Sequence, residues 1–202
     1  MAARIDYYVS LNSPWTHLGA ARVETLAARH GAQLRIHPVD FGKVVFPASG
    51  GVPLPQRSPQ RQAYRMQELR RWRAHLGIPI QLSPAFYPHD ETLSAQAVIA
   101  TRELVGDAPA VALAHRVLKA VWEENRNCAD RDVLAALVAE VGLAPSLLDE
   151  AAREDWAKLR KADAEAALAR GVFGAPSYVI GDEIYWGQDR LDFVARYLAR
   201  GD

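Results

Sequence analysis

The spacing of apolar residues along the chain changes twice, from strand-like to helical and back to strand-like. Residues 4–10 (Arg4-Ile5-Asp6-Tyr7-Tyr8-Val9-Ser10) are rich in β-branched and aromatic types and predict a strand. Pro14 to His30 carries Leu18, Ala21, Val23, Leu26 and Ala27 near helical spacing and predicts a helix stopped by Gly31. Leu34 to Val39 predicts a second strand. Its Pro38 cannot donate to a ladder on both sides, which places the strand at a sheet edge. Strand, long helix, strand is a right-handed βαβ unit.

From Phe41 to Gln56 the chain is rich in glycine and proline and loses its periodicity, so it predicts a long loop. A nearly all-helical stretch follows. Ser58-Pro59 opens its first helix as cap and first-turn proline, and Gly77-Ile78-Pro79 closes it. Further helices are predicted at about Thr92–Val105, Pro109–Asn125, Asp130–Val141, Pro145–Leu148 and Ala151–Arg170, with Gly106, Gly142 and Gly171 placed as stop signals.

After Gly171 the pattern returns to β. Ser177–Ile180, Gly181-Asp182 and Glu183–Trp186 predict a tight hairpin. A last helix starts near Asp189 and buries Leu191, Val194 and Leu198, flanked by Phe193 and Tyr197. The order βαβ, helical block, ββα predicts an α/β fold: a thioredoxin-like domain from residues 1–56 and 152–202, interrupted by an all-helical insertion at 57–151.

The charge balance narrows the partners. The 24 basic and 24 acidic side chains cancel, which argues against nucleic acid or an anionic membrane surface. Cys128 is the only cysteine, so no disulfide can form within the chain. With no long apolar stretch and no apolar leader before the first strand, the expected location is the cytoplasm. The six histidines show no metal-ligand spacing.

Two segments carry the candidate chemistry. Leu11-Asn12-Ser13-Pro14-Trp15-Thr16 stands where thioredoxin-like proteins place a reactive pair of cysteines, yet Ser13 and Thr16 occupy those positions. A fold that positions a sulfur, and has none there, implies a sulfur supplied by a bound ligand, which points to glutathione. Ser13 can cap the helix; the same geometry lets its hydroxyl donate to a thiolate at the positive helix end. The second segment is Gly171-Val172-Phe173-Gly174-Ala175-Pro176-Ser177-Tyr178. A cis bond at Ala175–Pro176 would leave the Ala175 N–H and C=O free to pair with an extended ligand. Gly187-Gln188-Asp189-Arg190 offers a helix start with an acid beside it, suited to a group bearing both ammonium and carboxylate. His17, one turn after Ser13, is placed at the site mouth. His89, Asp90 and Glu91 read as capping residues, and Cys128 as structural.

Together these residues resemble the 2-hydroxychromene-2-carboxylate isomerase family, which is similar in turn to the kappa-class glutathione transferases. The resemblance runs over nearly the whole chain. It rests on Ser13-Pro14-Trp15-Thr16, the helix Tyr64–Trp72 with Leu76-Gly77-Ile78-Pro79, Gly171–Pro176, and Trp186-Gly187-Gln188-Asp189-Arg190-Leu191-Asp192. It implies a DsbA-like fold, a homodimer, glutathione as cofactor and a small aromatic-derived carboxylate as substrate. The implied reaction interconverts 2-hydroxychromene-2-carboxylate and trans-o-hydroxybenzylidenepyruvate, in naphthalene breakdown, by reversible thiolate addition. By the same resemblance Ser13 meets the sulfur, Ala175 pairs with the cysteinyl backbone beside a cis Pro176, and Gln188, Asp189 and Arg190 hold the γ-glutamyl group. Arg61 stands in place of a lysine found in many relatives, three residues before Tyr64. His17, Arg61 and Tyr64 are the substrate-side candidates. The loop that usually reads Phe-Lys-Ala-Thr-Gly-Asn reads Phe46-Pro47-Ala48-Ser49-Gly50-Gly51 here, so Pro47 and Gly51 depart from the pattern. A kappa-like transferase and a non-catalytic thioredoxin-like binding protein are the alternatives.

Overall fold

The computed structural model describes residues 3–200. Its sheet has four strands in the order β2-β1-β3-β4. β1 (Arg4–Val9) runs parallel to β2 (Gln33–Pro38), with Tyr7 opposite Ile36, and the helix α1 (Pro14–Arg29) connects them. β3 (Ser177–Ile180) returns antiparallel to β1 and turns at Gly181, φ +55°, into β4 (Glu183–Trp186). β2 is an edge strand, as Pro38 requires.

Alternation along β1 divides the core. Ile5, Tyr7 and Val9 enter a large apolar cluster with Leu18 of α1, while Tyr8 faces a smaller one with Val39, Val179 and Ala164. The large cluster continues into the helical stretch through Val98, Leu113, Leu118 and Trp122. These belong to α4 (Thr92–Leu104) and α5 (Asp107–Trp122), which follow α2 (Phe46–Ser49) and α3 (Pro59–Leu76). α6 (Arg131–Glu140), α7 (Leu147–Ala151) and α8 (Glu154–Ala169) lead back to the sheet, and α9 (Leu191–Leu198) closes the chain.

Several boundaries differ from the sequence reading. Phe41–Gln56 is not one loop. A π-helical turn at Phe41–Val45 is capped by the Asp40 side chain, which accepts from the Lys43 N–H at 2.9 Å. It passes into α2, which ends at Gly50 with φ +73°, and a 3₁₀ turn follows at Leu54–Gln56. Buried Phe41 and Val45 anchor this segment despite its weak periodicity.

α5 starts at Asp107, before Pro109, because a first-turn residue needs no N–H donor; it ends at Trp122, and Asn125 takes φ +55°. α7 starts after Pro145 and Ser146, and extended Arg153 delays α8 to Glu154. Ala21 is exposed, since the buried stripe of α1 runs through Thr16, Ala20, Val23 and Ala27. Leu198 is only half-buried. Asp189 lies in a 3₁₀ turn, Gln188–Arg190, ahead of α9 instead of capping it.

A buried ionic cluster ties β1 and β2 to α4 and α8. His37 lies 3.1 Å from Asp6 through Nε2 and 3.2 Å from Asp163 through Nδ1. Arg170 meets Asp6 at 2.6 Å, and Arg102 meets Asp163 at 2.8 Å. Burial alone would raise the Asp6 carboxyl, but hydrogen bonds from His37, Arg4 and Arg170 outweigh it and hold the group well below the usual carboxylate range. Asp163 is lowered against burial in the same way, by His37 and Arg102.

A depressed folded pKa adds stability that is complete above the unfolded value, about 3.9, and is lost as pH falls through the folded one. Asp6→Asn is therefore expected to cost about 3 kcal/mol at neutral pH, since it removes the buried carboxylate on which His37, Arg4 and Arg170 converge, and to flatten the acid limb of stability. Urea unfolding at several pH values checks this, and an unchanged midpoint at pH 7 would count against the cluster.

Candidate functional site

The first wall of the site is the start of α1. Ser13 is its N-cap, with φ −85° and ψ 118°, and its Oγ accepts from the Thr16 N–H at 3.2 Å. That bond uses the oxygen and leaves the hydroxyl hydrogen free. Pro14 has no N–H, and the Trp15 N–H has no partner among the described residues. Two donors thus stand at the positive end of a 16-residue helix, a natural seat for an anion. Thr16 is fully buried and takes no part.

The second wall is the turn before β3. The Ala175–Pro176 bond is cis. The Ala175 N–H and C=O have no hydrogen-bond partner among the described residues, whereas the Pro176 carbonyl accepts from the Gly187 N–H at 2.9 Å. Pro176 itself is buried behind Ala175. A side chain at Gly174 would run into the Trp186 indole, so only glycine lets that ring lie against the turn. Phe173 and Trp186 meet edge-on at 4.8 Å and stay about half exposed.

The third wall, the Gln188–Arg190 turn, docks on α1. A Cβ on Gly19 would come within 2.8 Å of the Tyr178 hydroxyl and 3.0 Å of Gln188 Cβ. The buried Gln188 carboxamide accepts from Arg22, one turn further along α1. One helix therefore carries Ser13 at its tip and holds the Asp189 turn on its flank. Asp189 and Arg190 pair at 2.7 Å at the surface.

These walls enclose two adjoining cavities of about 770 and 550 Å³. Ser13 lines the first, and Tyr64, Gln188, Asp189 and Arg190 line the second. Ala175, Trp15, Trp186 and Arg61 line both and so join them. The structure brings together all the candidates except Pro176, which acts from behind, and His17. His17 is buried and turned inward, its Nε2 2.9 Å from Glu123, and burial lowers its pKa despite that carboxylate. Helical spacing from Ser13 misplaces it because the cap residue has an extended backbone, not a helical one.

The sequence reading missed Glu91. Its carboxylate accepts from Ser10 Oγ at 2.9 Å, the Asn12 N–H at 3.0 Å and Arg160 at 2.8 Å. The Asn12 side chain also bridges the backbone of His89, donating at 2.9 Å and accepting at 3.0 Å. Thus the residues ahead of α4 clamp the loop that presents Ser13. Burial raises the Glu91 carboxyl against Arg160 and the loop donors. Asp90, by contrast, caps as expected, accepting from the Thr92 N–H at 2.9 Å. His89 lines the larger cavity and is pushed down to about 4 by burial, hence neutral near pH 7. At Gly51 any Cβ would collide with the Phe46 ring, which folds over that backbone.

With this geometry the class is defined: the chain belongs to the family of DsbA-like thioredoxin domains, whose model matches residues 4–199. Within that class it belongs with the 2-hydroxychromene-2-carboxylate isomerases. The isomerase of that name from Sphingobium xenophagum is 30% identical, covering 98% of this chain and 99% of the relative. A solved 2-hydroxychromene-2-carboxylate isomerase superposes with a TM-score of 0.84 at 27% identity, over 98% of this chain and 95% of the other. The cytosolic disulfide reductase DsbM from Pseudomonas aeruginosa, solved with GSH, shares the fold, with a TM-score of 0.69 at 21% identity over 98% of both chains.

Proposed function

We propose that the protein is a glutathione-dependent isomerase interconverting 2-hydroxychromene-2-carboxylate and trans-o-hydroxybenzylidenepyruvate. One observation carries the reading: a helix tip with two free donors, Ser13 Oγ–H and the Trp15 N–H, faces the same cleft as the unpaired backbone of Ala175, and no thiol of the chain reaches it. Cys128 is buried elsewhere, its Sγ against the Val117 carbonyl at 3.7 Å and its pKa pushed up to about 11.

The donor set fits glutathione. Ser13 and the tip of α1 stabilise a thiolate, Ala175 pairs with a peptide backbone as an added strand, and Asp189 takes an ammonium. Gln188 holds the turn in place through Arg22, and Arg61 offers a cation between the two cavities. Glutathione held by Ser13, Ala175 and Asp189 would supply a thiolate nucleophile for reversible conjugate addition to the ring-opened substrate, the chemistry by which a double bond can be turned. The clamp through Glu91 and Asn12 keeps Ser13 in place throughout, which is positioning rather than proton transfer.

Glutathione is expected to raise the melting temperature in proportion to ln(1 + [L]/Kd), since only the folded chain builds the three walls. S-methyl glutathione, which cannot present a thiolate, is expected to stabilise less. A flat thermal titration up to millimolar glutathione would overturn the cofactor assignment.

A further inference from the structure

Arg61 and Arg65, one turn apart at the start of α3, and Arg57, in extended backbone just ahead of the Ser58 cap, all line both cavities. None has a carboxylate within 4 Å among the described residues. Of the acids nearest in sequence or cavity, Glu68 is engaged by Arg71 and Glu91 by Arg160, and Asp189 is the partner of the glutathione ammonium on the proposed reading. Arg57 spends only its Nε, donating to the Val52 carbonyl at 2.7 Å. Arg65 lies with its guanidinium 5.7 Å from the Tyr87 ring centre, and its Nη2 is occluded without a hydrogen bond. Burial lowers the pKa of both, and a neighbouring guanidinium adds to it, Arg61 at Arg57 and Arg57 at Arg65.

Desolvated cations without a counter-ion cost stability, so a row of them facing a cleft is arranged for an anion that arrives. Guanidinium is matched to carboxylate by its planar pair of donors. On the proposed reading, Arg61 serves glutathione between the cavities, which leaves two guanidinium groups over. Elsewhere in the lining of the larger cavity Asp40, Asp90 and Glu91 outnumber Lys43 and Arg160, so an acid group is disfavoured beside them. The field along the cleft therefore points a carboxylate toward α3.

Resting on that reading, we infer that Arg57 and Arg65 form a carboxylate subsite for the second substrate, which selects planar aromatic acids over their neutral counterparts. Tyr87, beneath Arg65, is the aromatic surface beside this subsite.

The test uses unreactive probes, chromone-2-carboxylate and chromone-2-carboxamide, with binding followed by calorimetry at saturating glutathione. The parent protein is expected to prefer the acid at least tenfold. Arg57→Gln and Arg65→Gln are each expected to abolish that preference and leave the glutathione Kd within about twofold. Arg65→Lys is expected to restore part of it, as a point charge without the planar fork. Melting curves establish that each variant folds; should one fail, the other and the salt dependence of acid binding carry the test. Equal binding of acid and amide by the parent protein overturns the subsite. So does a variant that weakens glutathione while keeping the acid preference. Failure of the isomerase reading shows separately, as absent turnover with the acid preference intact.

Discussion

Without glutathione, conversion of 2-hydroxychromene-2-carboxylate is expected to fall to the uncatalysed background, and with it each glutathione is expected to support many turnovers. The effect is large because the chain places no thiol in the cleft. Ser13 is a hydroxyl bonded to no base among the described residues: His17 pairs with Glu123 away from the cavity, and the ring nitrogens of His89 make no hydrogen bond. Cys128 is buried apart from the site and held protonated by its surroundings. An isomerase returns the thiol, so free thiol measured at the end should equal that added, with no conjugate by mass spectrometry. Stoichiometric thiol loss with a conjugate as main product would replace the isomerase with a transferase. Turnover unaffected by omitting glutathione would remove the cofactor altogether.

Much of this arrangement is legible in the sequence. The alternation in Ile5–Val9, the Gly181-Asp182 turn and the stop at Gly77 report local rules that tertiary packing did not override. The site's two ends were legible for the same reason: Ser13-Pro14 is a cap with its first-turn proline, and Gly187 at φ +109° marks where the Asp189 turn leaves the hairpin. What stayed hidden depends on contacts between distant parts of the chain. Glu91 reads as a helix start, yet its partners Ser10 and Arg160 are 81 and 69 residues away. His17 fails because a local spacing was extended across an extended cap residue. The arginine row was visible in principle, since Arg57, Arg61 and Arg65 keep a four-residue interval; what the sequence lacks is the absence of any acid opposite them.

Ser13→Ala is expected to lower turnover roughly ten- to a hundredfold, the worth of about 1.5–3 kcal/mol for a hydrogen bond to a charged group. Two roles meet in this one side chain, and they separate by what each would move. Because Oγ accepts from the Thr16 N–H, alanine also loses a cap and about 1 kcal/mol of stability. That loss lowers the melting temperature and leaves the chemistry nearly intact. Loss of the donated proton instead destabilises the bound thiolate, so its pKa rises and the acid limb of the rate profile moves to higher pH. Ser13→Thr, which keeps a hydroxyl that both caps and donates, is expected to recover most of the rate and the original pH limb. A variant that melts lower yet turns over normally at saturating glutathione, with an unmoved pH profile, would reduce Ser13 to a helix cap. Trp15 then becomes the residue to weigh, since its backbone N–H is the remaining donor at the tip and only proline there would remove it.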